Sequence, residues 1–72
     1  MRYHWHDYIF GKEGHKQLFN KKGKWLGSVE VRPRGYLGML NMPTKVLGIY
    51  PTEEIARAEV VTVAAIVEEG KE

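Results

Sequence analysis

Residues 45–69 read KVLGIYPTEEIARAEVVTVAAIVEE, and within them the chain changes its period. Lys45 to Tyr50 is a short run of strand character, rich in β-branched and aromatic residues. Pro51 ends it, Thr52 is a suitable N-cap, and Glu53 and Glu54 complement the macrodipole of the helix they open. Ile55 to Glu69 continues that helix for about four turns. Ala56, Val60, Val63, Ala64 and Val67 make one apolar stripe, flanked by Ile55, Glu59, Thr62 and Ile66. Val60, Val61, Thr62, Val63, Ile66 and Val67 are β-branched, which lowers helix propensity, so a shorter helix followed by a sixth strand is the competing arrangement. No turn signal divides the segment, and a single helix is the expectation. Its apolar arc is wider than one small sheet needs to cover. Val61, Val63, Ile66 and Val67 are therefore the candidate interface toward a second copy or another protein.

Upstream the texture is different. The first fifty residues hold seven of the eight glycines, two of the three prolines and every aromatic residue. They read as short strands with turns between them. Arg2 to Phe10 is the first, carrying Tyr3 and Trp5 on one parity and His4, His6, Tyr8 and Phe10 on the other. Gly11-Lys12-Glu13-Gly14 follows as a hairpin-type loop. His15 to Asn20 is a second strand, closed by the polar turn Asn20-Lys21-Lys22-Gly23. Trp25 to Arg32 alternates, with Trp25, Gly27, Val29 and Val31 on one side and Leu26, Ser28, Glu30 and Arg32 on the other. Pro33-Arg34-Gly35 is a turn, and Tyr36 to Met42 is a further strand. The 72 residues allow one domain: a β-rich part over 1–50, an acidic amphipathic helix over 51–69 and a tail over 70–72. The fold class is α+β, a small antiparallel sheet of four or five short strands packed by one C-terminal helix. A three-stranded sheet with a helix and a small barrel are both compatible with it.

Charge divides along the same line. Residues 1–50 carry nine Lys and Arg against three carboxylates, a net +6; residues 51–72 carry two against six, a net −4. Such a dipolar chain can turn one face to a polyanion and the other to solvent. The plainer reading is lysines solvating loops and glutamates solvating a helix. Cysteine is absent, which removes disulfides, thiolate chemistry and cysteine-bound zinc. No apolar run approaches a membrane span, the polar N-terminus does not read as a signal peptide, and a cytoplasmic protein is expected.

Catalytic chemistry is poorly represented. Ser28 is the only serine, Asp7 the only aspartate, and the glutamates gather on the helix instead of pairing across a cleft. No nucleophile elbow or phosphate loop is present. The expectation is no enzyme and no cofactor. His4-x-His6 puts two rings on one side of a strand, and a hairpin could bring His15 beside them. With no acidic partner or second motif, the pattern assigns no metal, and half-exposed strand histidines explain it.

Basic residues interleaved with aromatics are the stronger signal. Lys21, Lys22 and Lys24 flank Trp25, and Arg32 and Arg34 flank the turn before Tyr36. Cations of this kind neutralise phosphates, while rings on a sheet stack on bases or sugars. Trp25 has two readings, because it shares parity with the core candidates Val29 and Val31. The expected function is a non-enzymatic nucleic-acid-binding protein, with duplex DNA the first ligand in view. The alternative is a protein-interaction module, such as a phage or mobile-element regulator that docks on a host protein or dimerises through its helix.

Two stretches resemble the AP2/integrase-type DNA-binding domains, in which a three-stranded antiparallel sheet is backed by one helix. Gly23-Lys24-Trp25-Leu26-Gly27-Ser28-Val29 is similar to the opening of that family's middle strand. Val46-Leu47-Gly48-Ile49-Tyr50-Pro51-Thr52-Glu53-Glu54-Ile55-Ala56-Arg57-Ala58 is similar to its third strand and helix start. The resemblance implies a sheet lying in a major groove with the acidic helix behind it, and puts Lys24 and Trp25 on contact positions. Two departures stand out. Pro33 to Thr44 inserts an extra strand-like piece, and only His15 to Phe19 stands for the family's arginine-rich first strand.

Overall fold

The computed structural model describes residues 3–7, 15–41 and 44–70. Five strands run in order, β1 (Tyr3–Asp7), β2 (Lys16–Asn20), β3 (Trp25–Arg32), β4 (Gly35–Leu40) and β5 (Lys45–Tyr50), followed by one helix, α1 (Glu53–Glu69). Each strand pairs antiparallel with the next, so the sheet is a meander with β1 and β5 at its edges. The α+β expectation holds. No β1–β5 pairing closes a barrel among the described residues. Met1, Arg2, Tyr8 to Gly14, Met42, Pro43 and the tail residues Lys71 and Glu72 lie outside the described residues, and with them the expected Gly11–Gly14 loop.

The turns follow from their residues. Asn20 Oδ1 accepts from the backbone N–H groups of Lys22 and Lys24, 2.9 Å each, and Gly23 takes φ +85°, a conformation glycine adopts without steric cost. Pro33 and Arg34 form the two-residue link between β3 and β4, since Arg32 pairs with Gly35. Thr52 caps α1 as expected, its Oγ1 accepting from the Ile55 N–H at 3.1 Å. The β-branched run stays helical through Glu69 because Val60 and the residues beside it are held by tertiary packing, which outweighs propensity.

The core lies between α1 and one face of the sheet. Leu18, Leu26, Val29, Leu40, Ala56, Val60 and Ala64 are buried there. Tyr3, Trp5, Tyr36, Leu47, Tyr50, Val61, Val63 and Val67 pack partly buried around them. Ala56, Val60 and Ala64 lie four residues apart, the seam of one helical face.

One irregularity changes the expected alternation. The β2–β3 register passes from Leu18 opposite Gly27 to Phe19 opposite Trp25, so Leu26 is the extra residue of a β-bulge. Leu26 is thereby buried with the core, and Trp25 turns to the face of Phe19, away from α1, and is 40% exposed. Simple parity puts Trp25 with Val29 and Leu26 opposite; the bulge reverses both. β4 also separates the two strands that carry the resemblance to AP2/integrase-type domains.

Candidate functional site

The sheet face turned away from α1 has no secondary element covering it among the described residues. Register assigns its occupants. His4, Phe19 and Trp25 form one row across β1, β2 and β3; His6, Gln17, Ser28, Met39 and Val46 form the next; Leu37 and Ile49 continue the row of Glu30. The β1–β2 side is aromatic. The His4 and His6 ring centroids are 5.5 Å apart, and His6 meets Phe19 at 5.3 Å, both pairs edge to face. His4, His6, Gln17, Phe19 and Gly23 line a shallow depression of about 300 Å³. The β4–β5 side is aliphatic, with Val46 and Ile49 more than half exposed.

Trp25 Nε1 donates to the Gly27 carbonyl at 2.9 Å, and Asn41 Nδ2 donates to the Trp25 carbonyl at 3.3 Å. These bonds fix the indole over the sheet, where it lines a second hollow of about 200 Å³ together with His15, Gln17, Ser28, Glu30 and Met39. Ser28 is 5% exposed beneath these side chains, the one buried polar residue among those described.

Carboxylates are distributed asymmetrically. Glu53, Glu54, Glu59, Glu68 and Glu69 all belong to α1, behind the sheet. Glu30 is the one carboxylate that register puts on the open face among the described residues, and it is already engaged: Arg32 Nη2 donates to it at 2.6 Å and His15 Nε2 lies 3.3 Å away. Asp7 points to the α1 side, where Lys16 Nζ donates to it at 2.6 Å. That hydrogen bond, reinforced by the lysine charge, holds the Asp7 carboxyl below the usual carboxylate range.

The expected cations fall in three settings. Lys21 and Lys22 are exposed on the β2–β3 turn at one end of the sheet, and Arg34 is exposed on the β3–β4 turn at the other. About 26 Å of β3 lies between those ends. Lys24 leans to the α1 side, 3.4 Å from Glu68, and Arg32 is taken up by Glu30. The basic residues therefore rim the open face at both ends instead of tiling it. Tyr36 does not join Trp25, because it pairs with Val31 and Tyr50 and packs against the core on the α1 side. On the helix, Val61, Val63 and Val67 pack against the core as well, while Ile66 stays 65% exposed.

His4, His6 and Phe19 are site residues that the basic-aromatic pattern passes over. The shared parity of His4 and His6 is legible, but their meeting with Phe19 depends on β1–β2 register. Among the described residues no group of three or more His, Cys, Asp or Glu gathers at metal-binding distance, and His15 sits with Glu30. Arg57 stands over the Trp5 ring at 5.4 Å while donating to Glu53 at 2.6 Å, which ties β1 to α1. No helix among the described residues is long and apolar enough to cross a membrane. No protein-family model matches the chain, and neither a curated protein nor a solved structure matches it.

Proposed function

We propose that this protein is a small, non-enzymatic nucleic-acid-binding module that takes a single strand across the open sheet face. One observation carries the reading: His4, His6, Phe19 and Trp25 share a face whose one carboxylate among the described residues, Glu30, is already neutralised, while five glutamates stand behind the sheet on α1. Stacking on such rings requires unpaired bases, so the ligand class narrows from duplex to single strand. Lys21 and Lys22 at one rim and Arg34 at the other are the phosphate partners. The test is fluorescence anisotropy of a labelled single-stranded oligonucleotide and of its duplex, each over a range of salt concentrations. Tighter binding of the single strand, weakening steeply with salt, is the expected result. Salt-independent binding, or none at micromolar protein, overturns the reading.

A separate observation favours a second reading, a protein-interaction module. Leu37, Met39, Val46 and Ile49 make the other half of the same face aliphatic, and Val46 and Ile49 are 57% and 53% exposed. A homodimer or host-protein contact would use this patch or, on the opposite side of the molecule, Ile66, since the remaining helix valines serve the core. Sedimentation of the protein with and without oligonucleotide separates the readings: a stable dimer that Ile49→Lys dissociates and that ignores the oligonucleotide favours the second.

A further inference from the structure

The histidine pair on β1 has geometry of its own. An i, i+2 spacing on a strand directs both side chains to one side. His4 and His6 are both exposed on the open face, their ring centroids 5.5 Å apart and their planes at 81°. Two imidazoles that share one late first-row cation, with metal–nitrogen bonds of about 2.0–2.1 Å and cis or tetrahedral angles, stand about 4.5–5.2 Å apart between centroids. The observed separation is within a small side-chain rotation of that distance. Register puts no lysine or arginine directly across from the pair: Phe19 lies opposite His4, and Gln17, an oxygen donor, lies opposite His6. The depression that His4, His6, Gln17, Phe19 and Gly23 line is open to solvent, which leaves room for water to complete the coordination.

We infer that His4 and His6 form a two-imidazole chelate for a late first-row divalent cation such as Ni²⁺, Cu²⁺ or Zn²⁺, with Phe19 as one wall. Imidazole suits this class of metal, and the second ring binds at high effective concentration once the first has bound. The site rests on the geometry of these rings and not on the nucleic-acid reading. It is distinct from His15, which is held by Glu30 one row of strand from His6 and two from His4, and no third His, Cys, Asp or Glu side chain gathers with the pair among the described residues.

Isothermal titration of the whole chain with Ni²⁺, beside amide NMR of the same samples, tests it. One Ni²⁺ per chain is expected, with paramagnetic broadening centred on His4, His6, Gln17 and Phe19. His4→Gln and His6→Gln each weaken the affinity at least about tenfold, whereas His15→Gln changes it by less than about twofold. Both rings are exposed, and the broadening map of the unsubstituted chain reads the site without any variant. Absence of saturable binding at millimolar Ni²⁺, broadening centred elsewhere, or affinity indifferent to both substitutions overturns the site.

Discussion

Gly27 and Val60 meet with no room for a side chain between them: a Cβ built on Gly27 would stand 2.9 Å from Val60 Cγ1 and 2.5 Å from the Met39 carbonyl oxygen. The other Val60 methyl sits 3.1 Å from the Cβ position of Gly38. Glycines on two neighbouring strands thus form a notch that seats α1 on the sheet. Gly27→Ala must displace backbone as well as a methyl group, and a loss of about 1–3 kcal/mol in unfolding free energy is expected. Urea denaturation of the variant measures it, and an unchanged midpoint would count against the notch.

At the start of α1, Thr52 satisfies one of the four backbone donors that no helical carbonyl reaches. Thr52→Ala is expected to cost about 1 kcal/mol, and Thr52→Asp to recover most of it, since Asp also accepts from the first turn. Thermal melts of the unsubstituted chain and the two variants give the comparison. A melting temperature that Thr52→Ala leaves unchanged would show that the cap adds nothing.

Stacking and charge can be separated by substitution. Trp25→Ala is expected to weaken single-strand binding by about 1–3 kcal/mol with the salt slope unchanged. Lys21→Ala with Lys22→Ala is expected to flatten that slope by about 1.4 units, at roughly 0.7 for each phosphate released. Arg32→Ala should change it less, because Arg32 already bonds to Glu30. Anisotropy titrations at several salt concentrations distinguish the three outcomes, and a Trp25 variant that flattens the slope would contradict the division of roles.

The Asp7–Lys16 pair predicts a direction in pH. The Asp7 carboxyl is depressed in the folded chain by the Lys16 hydrogen bond, so its contribution is present above the ordinary aspartate range and disappears as pH falls through the folded value. Asp7 is exposed, and solvent screening keeps the effect on stability small. Carbonyl-detected NMR titration is expected to find Asp7 below the ordinary range in the native chain and returned toward it in Lys16→Met. An identical titration in both proteins would remove the pairing.

Much of this architecture can be read before any coordinates. Alternating runs bounded by Asn20-Lys21-Lys22-Gly23 and Pro33-Arg34-Gly35 announce strands and turns, because turn residues carry their backbone preferences with them. Thr52-Glu53-Glu54 announces the helix for the same local reason, and the split of cations and carboxylates along the chain is plain composition. What required the folded chain is everything decided by neighbours distant in sequence. The bulge at Leu26 belongs to the pairing of β2 with β3, and it moves Trp25 from the core side to the open face. Tyr36 goes to the α1 side because its partners are Val31 and Tyr50. Lys24 finds Glu68, 44 residues away, because α1 runs back along the sheet to the turn that carries the lysine. Local conformational preference is written residue by residue, whereas the side a strand residue faces, and the charge it meets, depend on register and on which elements approach each other.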